Sequence, residues 1–160
     1  MEPSGKRSRP SEVPDVLRLV VPGTVDYLDR IRDFVGSAAG VYGFEGATVD
    51  EIVLALDEAV ANVVEHAYEG SDLPEDQRTL ELLIEGGVQG MRFSLRDHGI
   101  PFDPGAAVPV DLDTHLASGN QDGLGIHMIR QLMDRMVWRR LPDGNELILE
   151  KDRIPGREGR

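Results

Sequence analysis

The stretch Asp50-Glu51-Ile52-Val53-Leu54-Ala55-Leu56-Asp57-Glu58-Ala59-Val60-Ala61-Asn62-Val63-Val64-Glu65-His66-Ala67-Tyr68 decides how this chain folds. Ile52, Val53, Leu56, Ala59, Val60, Val63, Val64 and Ala67 recur at three- and four-residue steps, the period of a helix that buries one broad face. Glu58 and Asn62 stand beside that face, one turn apart and rotated by only about 40°. A carboxylate and a carboxamide therefore project together. The carboxylate can take a proton from a nucleophile, and an amide oxygen is a hard ligand suited to Mg²⁺. The flank of a plain core helix can carry the same two residues without any function.

Outward from this helix the chain alternates in type. Thr48, with Glu51 three residues on, is the expected cap, and the helix is expected to end at Tyr68. Before it, residues 16–21 read as a short strand closed by Pro22-Gly23. Thr24 is then expected to cap a helix carrying Val25, Leu28, Ile31, Phe34 and Val35, which ends near Gly40 or Gly43. After it, a polar loop over 69–76 leads to a hairpin of strands 79–85 and 91–96, turning at Gly86-Gly87 or Gln89-Gly90. Met91, Phe93 and Leu95 alternate with Arg92, Ser94 and Arg96, so one face is buried and the other wet.

That second strand runs straight into Asp97-His98-Gly99-Ile100-Pro101-Phe102-Asp103. Turn-forming residues directly after a half-buried strand place Asp97 at the sheet edge, where its carboxylate can accept a hydrogen bond from a ligand. Gly99 lets a flat ring or a backbone approach closely. Residues 105–122 have no helical or strand period, and a loop that long in a compact domain reads as a lid or a disordered segment. It ends in Gly123-Leu124-Gly125, followed by Ile126, Ile129, Leu132, Met133 and Met136 at helical spacing. A glycine-flanked helix start exposes backbone N–H groups, and the helix dipole adds partial positive charge there, so it suits phosphate. Strands 137–141 and 146–150 around the turn Pro142-Asp143-Gly144-Asn145 make a closing hairpin. Trp138 reads as an ordinary strand residue. Arg135, Arg139 and Arg140 read as a solvated face, with contact to an acidic partner as the alternative, and Asp57 as solvated or ion-paired.

Composition limits what such a site can serve. The chain has 160 residues, 40% of them hydrophobic, which suits one globular domain. A net charge of −12 and an aromatic content of 5% argue against a broad nucleic-acid face or a stacking platform for single strands. There is no cysteine, hence neither a disulfide framework nor a thiolate metal site. No apolar run is long enough to span a membrane, and a cytoplasmic location is the expectation. Residues 1–14, which include Lys6, Arg7 and Arg9, and residues 152–160 read as flexible tails around one domain over 15–151. His66, His98, His115 and His127 show no metal-ligand spacing and read as structural or solvated.

Three ordered boxes carry a family resemblance. The stretch from Leu56 to Tyr68, with Glu58, Asn62, His66 and Tyr68, resembles the Glu-x-x-x-Asn box of the histidine-kinase-like ATPase superfamily. That superfamily is shared by gyrase, a heat-shock chaperone, histidine kinases and mismatch-repair proteins. Residues 96–103 resemble its Asp-x-Gly box, and Gly123 through Asp134 the box that closes the lid. Within the superfamily the chain is most similar to bacterial anti-sigma-factor serine kinases, the switch kinases of partner-switching pathways, over about residues 16–151. Together with the order of elements, the resemblance implies an α+β two-layer sandwich, with a mixed, mainly antiparallel sheet and helices on one face. It further implies ATP and Mg²⁺ as ligands. Asn62 would hold the metal, Asp97 would accept from the adenine amino group, Gly99 would admit the ring, and the Gly123-Leu124-Gly125 helix start would cradle phosphate. Glu58 would be the general base.

The chain departs from the wider superfamily at Pro101, where that superfamily has a second glycine and the switch-kinase branch often tolerates the change, and from its relatives at Gly144-Asn145, where Gly-Thr is common. The polar contact usually given by that threonine then falls to Asn145 or to water. The resemblance implies a protein-serine kinase that phosphorylates a small STAS-type antagonist (an anti-anti-sigma protein), binds a client such as a sigma factor, and forms a homodimer. A nucleotide-gated binding module without phosphate transfer, and the ATPase piece of a split sensor kinase, are the alternative readings.

Overall fold

Period-two alternation builds one layer of the protein and the 3.6-residue period builds the other. A computed structural model describes residues 15–103 and 124–153. The expected lid over 105–122, Gly123, His115 and residues 1–14 lie outside the described residues. The sheet has five strands, β1 (Val16–Pro22), β2 (Thr79–Gly87), β3 (Gly90–Asp97), β4 (Arg135–Leu141) and β5 (Gly144–Asp152), in the order β1-β2-β3-β5-β4. All four described pairings are antiparallel. Helices α1 (Leu28–Val41), α2 (Ala47–Asn62) and α3 (Leu124–Leu132) complete the α+β architecture expected from the sequence, and α2 touches both α1 and α3.

Register decides which side chains meet the helices. Leu80, Leu82 and Ile84 of β2 stand opposite Asp97, Leu95 and Phe93 of β3, and these in turn stand opposite Asn145, Leu147 and Leu149 of β5. All nine are buried. Ile31 and Val35 of α1, Ile52, Leu56 and Val60 of α2, and Ile126 and Ile129 of α3 join them in one core. The stripe read from residues 50–68 is thus the face that closes the sandwich. The other sheet face carries charges in cross-strand order, with Arg18 paired to Glu81 and Arg96 and Arg139 paired to Glu146.

Several boundaries differ from expectation for local reasons. Thr48 does not cap α2. Gly46 does, at φ 55°, and its carbonyl accepts from the Val49 and Asp50 N–H groups. Glu51, expected to complete a capping box, instead meets Lys151 Nζ at 2.9 Å. Thr24 caps as expected, accepting from the Asp26 N–H at 3.3 Å, although a 3₁₀ turn precedes α1. The first hairpin turns on Val88-Gln89, because Gly87 and Gly90 still pair. β5 runs to Asp152, and the Arg153 N–H donates to the Gln89 carbonyl at 2.9 Å.

The helix expected to end at Tyr68 changes form at Val63. Residues Val63–Tyr68 continue it as a π-helical turn, a wider winding that shifts carbonyls out of the α ladder. The Ala67 carbonyl accepts from the Ile100 N–H at 2.9 Å, and Tyr68 donates its hydroxyl to the Thr79 carbonyl while accepting from the His98 N–H at 3.0 Å. This turn therefore ties the end of the central helix to the segment that follows β3. No described helix is long and apolar enough to cross a membrane.

Candidate functional site

Glu58 and Asn62 end α2 one turn apart, just before the winding widens. Their side chains converge on the start of α3. A Cβ added to Gly125 would sit 2.6 Å from Glu58 Oε2 and 3.6 Å from Asn62 Nδ2, so only glycine leaves the Glu58 carboxylate where it stands. Leu124 opens α3 beside it. Two of the three sequence boxes thus meet in space.

Asp97 belongs to the third. It was expected at a sheet edge, but β3 is the central strand and Asp97 is its last residue, only 4% exposed. The reason is topological: β5 returns between β3 and β4 and covers β3 on its outer side. Asp97 Oδ1 accepts from the Gly99 N–H at 2.8 Å and from Asn145 Nδ2 at 2.8 Å. Among the described residues none donates to Oδ2. Burial pushes the Asp97 carboxyl above the ordinary carboxylate range, while the Asn145 and Gly99 hydrogen bonds and the nearby His98 and Arg140 charges pull it back.

Gly99 makes the close approach predicted for it, toward the protein itself. A Cβ there would lie 2.3 Å from the Ala67 carbonyl oxygen, so the segment after β3 can pack on the π turn only with glycine at this position.

Asn62 and Asp97 line one narrow cleft together with Ala59, Val63, Phe102, Ile126, Trp138, Asn145 and Leu147. Apolar walls with a few convergent polar groups are the usual makeup of a site for a flat ligand. Two donors in it are buried without a partner among the described residues, Asn62 Nδ2 and Trp138 Nε1. An unpaired buried donor costs free energy unless a ligand or water takes it. Phe102 is held by His66, with ring centroids 4.5 Å apart and planes inclined by 18°.

Sequence reasoning missed part of this. Trp138 is a cleft residue as well as a strand residue. Asn145 was assigned to a turn, yet Gly144 already pairs with Leu141, so Asn145 is inside β5 and 3% exposed. The arginines of β4 are not simply solvated: Arg139 pairs with Glu146, Arg135 with Glu150 and Asp152, and Arg140 donates to the side-chain Oδ1 of Asn145 and to the backbone carbonyl of Gly99. Extending the alternation of Leu147 and Leu149 by one step would have placed Asn145 on the inner face. Asp57 behaves as read, with its carboxylate 2.7 Å from Arg32 Nε. Among the described residues no group of three or more His, Asp or Glu side chains could hold a metal by itself.

Comparisons with known proteins place the chain in a family. Residues 21–151 match the histidine kinase-like ATPase domain family. The serine-protein kinase RsbW of Halalkalibacterium halodurans is 27% identical over 136 residues, spanning 77% of this chain and 75% of that protein. The serine-protein kinase RsbW of Staphylococcus aureus is 29% identical over 130 residues, spanning 77% of this chain and 78% of its own. The crystal structure of the RsbU and RsbW domains of a Mycobacterium tuberculosis protein superposes with a TM-score of 0.58 at 18% identity. It covers 88% of this chain, which spans 33% of that longer one, and shows the fold. The chain belongs to the histidine kinase-like ATPase domain family, and within it stands with the serine-protein kinases.

Proposed function

We propose that the protein is an ATP-dependent serine kinase that transfers phosphate to a small STAS-type antagonist and sequesters a client such as a sigma factor, as the switch kinase of a partner-switching pair. The observation that carries this reading is the convergence of Glu58, Asn62 and Gly125 at one end of the cleft that Asp97 lines. A base at Asp97 and phosphates at the start of α3 put the reacting end of ATP beside the Glu58 carboxylate.

Asn62 fits a Mg²⁺ ligand. It lines the cleft, its carboxamide supplies a hard oxygen, and Mg²⁺ takes few protein ligands, leaving the rest to phosphate and water. When bound, the metal would neutralise charge on the phosphates. In the transfer step Glu58 accepts the proton of the incoming serine hydroxyl. The serine oxygen bonds to the γ-phosphorus, the bond from that phosphorus to the β–γ bridging oxygen breaks, and ADP leaves with the electron pair. The backbone N–H groups at the start of α3, with Gly123 and Leu124 ahead of Gly125, stabilise the phosphate charge. General-base assistance contributes on the order of 10²–10⁴-fold.

The test is to mix the chain with Mg²⁺-ATP and an antagonist protein and look for phosphoserine on the antagonist. Transfer by the wild type and its loss by at least about 100-fold in Glu58→Gln are expected. No transfer, or full transfer by Glu58→Gln, would overturn the kinase reading. A partner that binds differently in ATP and ADP without gaining phosphate would favour a nucleotide-gated binding module. Homodimerisation is part of the proposal, and an elution mass of one chain at micromolar concentration counts against it.

A further inference from the structure

One row of side chains crosses the inner face of the sheet at its cleft end: Asp97 on β3, Asn145 opposite it on β5, and Arg140 opposite Asn145 on the outermost strand β4. Each member contacts the next. Arg140 Nη1 donates to Asn145 Oδ1 at 3.1 Å, and Asn145 Nδ2 donates to Asp97 Oδ1 at 2.8 Å. We propose that Arg140, acting through Asn145, is the positioning residue that sets which chemical group of a nucleotide base Asp97 accepts.

The orientation of the Asn145 amide is the decisive detail. A carboxamide has a donor end and an acceptor end, and only its surroundings decide which way it faces. Here both ends agree. On one side Asp97 Oδ1 and the Ile100 carbonyl, at 2.8 and 2.9 Å, require donors. On the other side Arg140 offers only donors. A flipped amide would set its oxygen against two acceptors and its NH₂ against a guanidinium. Arg140 Nη1 also reaches the Gly99 carbonyl at 3.4 Å, fastening the residue whose own N–H holds Asp97 Oδ1. Among the described residues both donors to Asp97 therefore fall on Oδ1, and none takes Oδ2, which faces the ligand in this proposal. The positive charge of Arg140 lies close enough to oppose the effect of burial on the same carboxyl.

A carboxylate oxygen reserved in this way selects an exocyclic amino group. Adenine presents an N6 amino donor, whereas a 6-oxo purine presents an acceptor there. A site built around a substrate donor discriminates strongly against analogues that lack it, because its own buried polar group is then left unpaired. Without Arg140 the Asn145 amide is held on its donor side alone and Gly99 loses a tie, so Asp97 is held less firmly and the advantage of the 6-amino group shrinks.

This rests on the nucleotide reading of the cleft, and the test separates the two. Calorimetric titration of the full chain in Mg²⁺ with ATP and with purine riboside triphosphate, which lacks any 6-substituent, gives a ratio of affinities. The wild type is expected to favour ATP by about tenfold or more, the worth of one charge-assisted hydrogen bond. Arg140→Met keeps the aliphatic stem on an exposed edge strand and is expected to cut that ratio about threefold, with affinity for the unsubstituted analogue within about twofold of wild type. Asn145→Leu should reduce it further, and Arg140→Lys should restore most of it, since a lysine donates without accepting. Thermal melts of each variant confirm folding. If Arg140→Met folds and keeps the wild-type ratio, the relay is wrong while the nucleotide site stands. If the wild type binds neither triphosphate, the nucleotide reading falls and the relay with it.

Discussion

Two buried carboxylates stand one register step apart on opposite faces of the same strand pair, and they are treated in opposite ways. Glu146, on the outer face and 0% exposed, has both oxygens taken, Oε1 by Arg96 at 2.8 Å and Oε2 by Arg139. Asp97, on the inner face, has Oδ1 taken twice and Oδ2 by none of the described residues. Their titrations diverge accordingly. Burial pushes Glu146 up, but its two arginine hydrogen bonds outweigh this and hold it below the ordinary carboxylate range, whereas burial wins at Asp97. A saturated buried carboxylate holds strands together. A half-satisfied one at the mouth of a cleft is an acceptor kept for something else.

The contrast is sharpest in Glu146→Gln. Gln keeps one acceptor and removes the charge that two arginines share, so stability should fall by about 2 kcal/mol, discounted for their partial exposure. For a chain of this size that lowers Tm by about 4–8 °C in a thermal melt, with ATP affinity unchanged within about twofold. Asp97→Asn should move the other way without nucleotide. The amide oxygen still accepts from Gly99 and Asn145, and the buried charge is gone, so Tm at neutral pH should rise, by less than Glu146→Gln lowers it. A fall would mean that the charge itself stabilises the sheet end.

Acid titration separates the two carboxylates by sign. The folded pKa of Glu146 is depressed, so its contribution is present above the unfolded carboxylate pKa and is lost as pH falls through the folded one. The gap in stability between wild type and Glu146→Gln should close in acid. For Asp97 the folded pKa is raised, so its contribution to stability is full below the unfolded pKa and is lost as pH rises through the folded one. The advantage of Asp97→Asn should therefore appear only above the ordinary carboxylate range. Urea melts at several pH values check both. The smallest effect expected is optical: Trp138 is the only tryptophan, and it lines the cleft with its indole N–H unpaired among the described residues, so its emission should shift when ATP enters and stay put in Asp97→Asn.

How much of this was legible in the sequence follows from the range of each interaction. The stripe on α2, the alternation on β3 and the glycine-flanked start of α3 are local patterns, and each became the element it announced. Glu58 and Asn62 were placed correctly as a pair because four helical residues fix their relation. Their meeting with Gly125 depended on helix packing, which only the family resemblance could anticipate. Asp97 was expected at an edge because nothing local says that β5 will insert between β3 and β4. Asn145, Arg140 and Trp138 were read only in part for the same reason: their roles arise from cross-strand register, and although Asn145 was a candidate for a polar contact and Trp138 was placed in a strand, a turn read one pair too wide moved Asn145 out of its own. The π turn left no local signal, since Val63–Tyr68 has an ordinary helical period and its partners are Ile100 and His98, thirty or more residues away along the chain.

The most direct measurement is the calorimetric affinity for ATP of the wild type, Asp97→Asn and Glu146→Gln in Mg²⁺. An Asn at position 97 would turn an amide NH₂ or lose its charge where the adenine amino group needs an acceptor, a charge-assisted bond worth about 10- to 100-fold. Binding by the wild type and by Glu146→Gln, with a loss of that size in Asp97→Asn, is the predicted result. Equal affinity in all three, or no binding by the wild type, would contradict the assignment of Asp97 Oδ2 to the nucleotide.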